Sequence, residues 1–140
     1  MSLFIDTWAW LTVIDRSEHR HTEVVHLWNQ ARQDGVHLVT TDYVLDEVFT
    51  LLFRRLPHSV ATRAIHFVQD SARKGFVRLE PVFPTHFERA LELRRKYKDK
   101  PKISFTDLTT MAVMTQRGIT RILTEDDHFL HVGLGFIKVP

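Results

Sequence analysis

An α/β domain with a central, mostly parallel sheet of four to five strands and helices on both faces is the fold class this sequence predicts. Three observations carry it. Short, nearly all-apolar runs alternate with longer stretches whose apolar residues recur at helical spacing. Glycine and proline fall between these segments, at Gly35, Pro57, Gly75, Pro84 and Gly118, where they punctuate rather than interrupt. No internal repeat, low-complexity tract or linker breaks the alternation, so residues 1–140 are expected to form one domain.

The elements follow in order. Leu3 to Ile5 is all apolar, as in a strand buried on both faces. A short helix or turn is expected from about Trp8 to Ile14. A longer helix runs from about Arg20 to Gln33, with Val24, Leu27, Trp28 and Ala31 on one face, and Asp34-Gly35 closes it. Val36 to Val39 is a second strand. Thr40-Thr41-Asp42 offers caps for a helix to about Arg55, ended by Pro57. Ser59 to Ala72 is the next helix, and Gly75 separates it from a third strand, Phe76 to Leu79. Pro84-Thr85 opens a helix through about Lys98. Ser104 to Gln116 has Leu108, Met111, Ala112, Val113 and Met114 around its whole circumference, so it is expected to be central and covered. Arg121 to Leu123 is a fourth strand, and Gly135 to Val139 a short last one.

Composition narrows the function classes. The 44% hydrophobic and 26% charged content suit an ordinary globular domain with a real core. Without cysteine there is no disulfide framework and no thiolate zinc site. Met1-Ser2-Leu3-Phe4-Ile5-Asp6 carries no basic leader region and no run is apolar enough to span a membrane, so the expectation is a cytoplasmic protein without a membrane partner. A net charge of +2 says little about nucleic acid; its distribution says more. Arg94, Arg95, Lys96, Lys98, Lys100 and Lys102 put six cations into nine residues. They suit either a solvated helix end favoured by the dipole or a patch that tracks phosphates.

The chemistry lies in four short stretches that each set an acid where an apolar run meets a turn or helix: Leu3-Phe4-Ile5-Asp6, Val44-Leu45-Asp46-Glu47-Val48, Ser104-Phe105-Thr106-Asp107-Leu108, and Ile122-Leu123-Thr124-Glu125-Asp126-Asp127-His128-Phe129. Each acid alone has a structural explanation. Asp6 suits a helix cap, Ser104-x-x-Asp107 a capping box, Glu47 a solvated helix position and Asp126-Asp127 a turn. Jointly they point to a cation site, because carboxylates beside core residues are costly unless something positive offsets them. Open α/β sheets gather ligands beyond the carboxyl ends of their strands, where Asp6 and Asp126 are expected. Glu47 borders the stripe through Val44, Val48 and Leu51, whereas Asp46 falls outside it, so Glu47 is preferred.

Phe4-Ile5-Asp6-Thr7, Thr41-Asp42-Tyr43-Val44-Leu45-Asp46-Glu47, Ser104-Phe105-Thr106-Asp107 and Ile122-Leu123-Thr124-Glu125-Asp126-Asp127-His128-Phe129, in that order and at these separations, resemble the PIN-domain ribonucleases, most closely the VapC-type toxins of bacterial toxin–antitoxin pairs. The resemblance spans essentially the whole chain. It implies a three-layer α/β/α fold and a metal-dependent endoribonuclease whose acids are Asp6, Glu47, Asp107 and Asp126, with Thr7, Ser104 and Thr124 as supporting polar groups. It also implies Mg²⁺ as cofactor, with Mn²⁺ able to substitute, an RNA substrate, a VapB-like antitoxin and a homodimer. An antitoxin groove between the early helices is expected to involve Trp8, Trp10, Val48, Phe49 and Leu52. One departure is Asp127, where similar proteins often carry a basic residue; it makes the rim more acidic and leaves open whether Asp126 or Asp127 is the fourth acid.

Histidines are scattered and form no zinc spacing. His128, beside Phe129, reads as a packing and hydrogen-bonding residue. Trp8 and Trp10, so near Asp6, are candidates to border a substrate cleft. Two other readings compete. One is a non-catalytic PIN-like binding module, against which the four intact acids argue. The other is a Mg²⁺-dependent phosphatase-like or receiver-like α/β domain. A receiver usually pairs acids after its first strand, whereas here Thr7 follows Asp6.

Overall fold

A computed structural model describes residues 1–140. Strand β1 (Ser2–Ile5) leads into α1 (Thr7–Ile14) and α2 (His21–Gln33). Strand β2 (His37–Thr41) leads into α3 (Asp42–Arg55) and α4 (His58–Arg73), and β3 (Val77–Glu80) into α5 (Pro84–Lys96) and α6 (Phe105–Arg117). Strand β4 (Arg121–Leu123) passes through a short helix, α7 (His128–His131), to β5 (Ile137–Val139). All five strands pair in parallel, in the order β3-β2-β1-β4-β5.

That order places the site. The chain steps outward from β1 to β2 to β3, then crosses back to lay β4 on the other side of β1. Right-handed crossovers running in opposite directions put helices on both faces of the sheet. They also leave a crevice beyond the carboxyl ends of β1 and β4, where the direction of winding reverses.

Packing secures the walls of that crevice. Trp10 is fully buried and meets Trp28 edge-on at 5.1 Å. Its Nε1 donates to Thr40 Oγ1 (3.2 Å), which donates in turn to the Ile5 carbonyl (3.1 Å). A fully satisfied buried chain of this kind holds α1 in one place over β1 and β2. In α3, Thr41 caps the helix by accepting from the Val44 N–H (3.1 Å), and Val44 and Val48 are wholly buried. Helix α6 is covered on nearly all sides, with Leu108, Met111, Val113 and Met114 at 0% exposure, as its all-round apolar pattern requires. Gly118 ends it in the left-handed region (φ 68°), a conformation that favours glycine.

Three elements differ from expectation. Helix α7 is too short to show a periodic signal, so the turn reading of Asp126-Asp127 hides it. The last strand begins at Ile137 rather than Gly135, whose φ of 84° is incompatible with a strand. Helix α5 stops at Lys96 because the loop after it is tied down by Arg94. That guanidinium donates to the carbonyls of Tyr97 (2.7 Å), Lys100 (2.7 Å) and Ile103 (2.6 Å). Arg94 was expected to contact RNA. It instead pins the loop by donating to three carbonyls, two of which (Tyr97 and Lys100) also accept from the Lys100 and Ile103 N–H groups.

Candidate active site

The crevice is an open cleft of about 680 Å³. Asp6, Glu47, Asp107 and Asp126, which stand far apart in sequence, all line it, as do Thr7, Ser104, Thr124 and Asp127. Asp46 is exposed and is not part of it.

Asp6 occupies the N-cap position of α1 yet makes no side-chain cap bond. Its Oδ2 accepts a hydrogen bond from Thr124 Oγ1 (2.7 Å), and Thr124 Oγ1 accepts from the Asp126 N–H (3.1 Å). One buried hydroxyl therefore ties the end of β1 to the turn after β4. Asp107 lies in the first turn of α6, where Ser104 Oγ accepts from its backbone N–H (3.0 Å). Its side chain is 13% exposed and faces the cleft. Asp126 Oδ1 accepts from the His128 N–H (2.8 Å), which folds the turn and opens α7.

The electrostatics are those of a site built for a cation. Burial first, and the Asp107 carboxylate second, push the Asp6 carboxyl up to about 7; the Thr124 hydroxyl offsets part of the rise and Glu47 adds to it. Burial also pushes Asp107 up to about 7, with Asp126 and Glu47 raising it further and Ser104 offsetting part. Two carboxylates about 4 Å apart repel by roughly 4 kcal/mol at an effective dielectric near 20. Such a group is only partly ionised near neutral pH unless a positive partner stands beside it.

Asp127 behaves differently. Its Oδ1 meets Lys138 Nζ at 2.7 Å, and that ammonium holds its carboxyl below the usual range. The acidic rim expected from Asp127 is thus offset by Lys138. Asp126, not Asp127, is the acid whose charge acts on Asp107.

Several cleft residues escape sequence reasoning. His128 Nδ1 lies 3.0 Å from Asp126 Oδ2 and 3.6 Å from Asp107 Oδ2. Its one sequence signal is the Asp-x-His spacing, which alone is weak. Thr12, one helical turn past Trp8, also lines the cleft. Of the two tryptophans near Asp6, Trp8 borders the cleft, with the Arg20 guanidinium 5.5 Å from its ring centre, and Trp10 is core. Of the six clustered cations Lys102 lines the cleft, as does Arg55 from the end of α3, while Lys100 pairs with Asp99 (3.0 Å).

The donor set fits a divalent cation. The carboxylates supply hard oxygens. The Thr7 hydroxyl is 7% exposed and has no hydrogen-bond partner, and His128 Nδ1 has none either. Ligand atoms of Asp107, Asp126 and His128 all lie within 4.8 Å of one another.

The family model described as PIN domain matches residues 3–134. The chain belongs to the PIN domain family. Membership removes the phosphatase-like and receiver-like readings. This PIN domain is 32% identical over 137 residues to the 23S rRNA-specific endonuclease VapC20 of Mycobacterium tuberculosis, covering 98% of this chain and 97% of that protein. The crystal structure of Mycobacterium tuberculosis VapC20, a Sarcin-Ricin loop cleaving toxin, matches with a TM-score of 0.81 at 30% identity over 98% of both chains. VapBC2 from Rickettsia felis (TM-score 0.72, covering 99% of this chain and 98% of that one) and FitAcB from Neisseria gonorrhoeae (0.67, 99% and 96%) share 13% identity each, and with this PIN domain they share the fold. No helix is long and apolar enough to cross a membrane.

Proposed function

We propose that this PIN domain is a metal-dependent endoribonuclease, the toxin of a toxin–antitoxin pair. The observation that carries the proposal is the convergence of Asp6, Glu47, Asp107 and Asp126 in one cleft, where burial and neighbouring carboxylates push two of them up to about 7. Asp6 and Asp107 would hold the metal, and Thr124 keeps Asp6 in place. Glu47 and Asp126 either add ligation through water or orient the attacking water. A divalent cation bound there, Mg²⁺ or Mn²⁺, would supply a water of lowered pKa and neutralise the non-bridging phosphate oxygens. Attack on phosphorus breaks the bond to the 3′-oxygen, which leaves as a hydroxyl.

The substrate proposed is 23S rRNA at its Sarcin-Ricin loop, on the strength of the identity to VapC20 over nearly the full chain. The purified protein is expected to cut a 23S rRNA fragment containing that loop with Mg²⁺ or Mn²⁺, and not with EDTA. Cutting that survives EDTA rejects the metal mechanism. Failure to cut any RNA, with no cation bound, favours the non-catalytic binding module.

Lys102, with Arg95, Lys96 and Lys98 exposed beyond it, is proposed to track the RNA backbone. Lys102→Ala is expected to reduce the salt slope of RNA binding by about one. An unchanged slope rejects that role. Arg94→Ala is expected to lower the melting temperature instead, since it removes three hydrogen bonds that pin the loop after α5.

A VapB-like antitoxin and a homodimer complete the proposal. Of the five residues expected in the antitoxin groove, Trp10, Val48 and Leu52 are at most 1% exposed and belong to the core, while Trp8 and Phe49 stay partly exposed. An apolar groove does exist between α1 and α4, lined by Val13, Ile14, Val60 and Phe67 with Arg16 and Arg63 at hand. It suits an amphipathic antitoxin helix.

A further inference from the structure

Carboxylates alone would give the cation an all-oxygen donor set. His128 changes that donor set. Its Nδ1 is shielded from solvent and stands 3.0 Å from one cleft carboxylate and 3.6 Å from another, yet has no hydrogen-bond partner. Both distances lie within ion-pair range for a protonated ring, yet neither contact has the direction of a hydrogen bond. The ring is also held firmly. The His128 N–H donates to Asp126 Oδ1 (2.8 Å), and the next residue, Phe129, is wholly buried. A buried nitrogen placed between two carboxylates and left unpartnered has the chemistry of a ligand atom. Two hydroxyls on the same cleft, Thr7 and Thr12, are more than nine-tenths buried and equally unpartnered. The cleft thus lacks a partner at several polar atoms at once.

We propose that His128 Nδ1, beside Asp107 and Asp126, is a direct nitrogen ligand of the cation in this cleft, making the centre a mixed imidazole–carboxylate one. This rests on the nuclease reading only in requiring that a cation binds. The consequence is selectivity. Mg²⁺ prefers oxygen donors and keeps its waters, whereas imidazole suits first-row transition ions. The site therefore discriminates in favour of those ions more than an all-oxygen cluster does.

Mn²⁺ alone, added to the full chain without RNA, is the probe. Pulsed electron paramagnetic resonance of the wild type is expected to show ¹⁴N modulation from a directly bound nitrogen. It should change to the ¹⁵N pattern when histidine is ¹⁵N-labelled, and His128 is the histidine on this cleft. In His128→Asn an amide oxygen replaces the nitrogen at similar reach. The modulation should vanish there, and the preference for Mn²⁺ over Mg²⁺ in titration should fall by about tenfold or more. Mn²⁺ bound without histidine nitrogen coupling overturns this proposal and leaves the nuclease reading standing. No Mn²⁺ binding at all overturns both. The wild-type spectrum decides the matter even if the variant folds poorly.

Discussion

Asp6→Asn is expected to lower the rate of RNA cleavage by about 10³-fold or more, equivalent to ~4 kcal/mol of lost transition-state stabilisation. The substitution preserves shape, and the Asn carbonyl oxygen can still accept from Thr124 Oγ1, which now donates at 2.7 Å. What it removes is charge, at the most deeply buried acid of the cleft. A merely structural Asp6 would tolerate that change. Asp107→Asn should behave alike, because it faces the same cation position from α6. Asp46→Asn is the matched control. It is exposed, off the cleft and one residue from Glu47, and should cut at the wild-type rate. Initial rates on the Sarcin-Ricin loop fragment measure all three. Wild-type rates in Asp6→Asn would remove this acid from the mechanism.

The second large effect concerns stability and has the opposite sign. Without metal, Asp6 and Asp107 titrate near 7 when folded but near 3.8 when unfolded. Between those values the folded protein binds more protons than the unfolded chain. Stability therefore falls as pH rises through this window, and is fully reduced above about 7. One such group accounts for about 4 kcal/mol at most. The pair accounts for less than twice that, because their mutual repulsion is shared. In EDTA the melting temperature should drop between about pH 4 and about pH 7. In Asp6→Asn that drop should be smaller, so at the upper pH the inactive variant melts higher than the wild type. Adding Mn²⁺ should raise the wild type and reverse the order, by mass action on the folded state. A wild-type melting profile indifferent to both pH and cation would mean that the carboxylates find compensation elsewhere.

These two results share one cause. The cleft holds charges that the fold alone does not stabilise. Asparagine relieves the strain and loses the chemistry, as expected where function and stability compete.

Local features of the sequence were enough for most of the architecture. Strands and helices follow from apolar spacing, and helix ends from residues such as Thr41, Ser104 and Gly118, whose capping chemistry acts over three or four residues. Glu47 could be preferred to Asp46 because helical geometry relates each to the apolar stripe. The four acids could be suspected of meeting because strand ends in an α/β sheet share one edge. The same reasoning could not settle side-chain partners distant in sequence. Asp127 pairs with Lys138, eleven residues on and across β4 and β5. Arg94 reads as one of six surface cations until the loop after α5 folds back over it. His128 reads as packing until α7, a helix too short to signal itself, turns its ring toward Asp107.

The division has a physical basis. The chain by itself determined its elements, the positions of its acids and its family, because backbone propensity and apolar periodicity are short-range. Tertiary structure alone decided which charges become neighbours and which remain unpaired. The sheet order β3-β2-β1-β4-β5 brings Asp6, Asp107 and Asp126 to one crevice, and only burial there raises the two carboxyls and leaves a nitrogen and two hydroxyls without partners. Desolvation and Coulomb repulsion depend on distance in space and not along the chain, so the charge state of this site is a property of the fold.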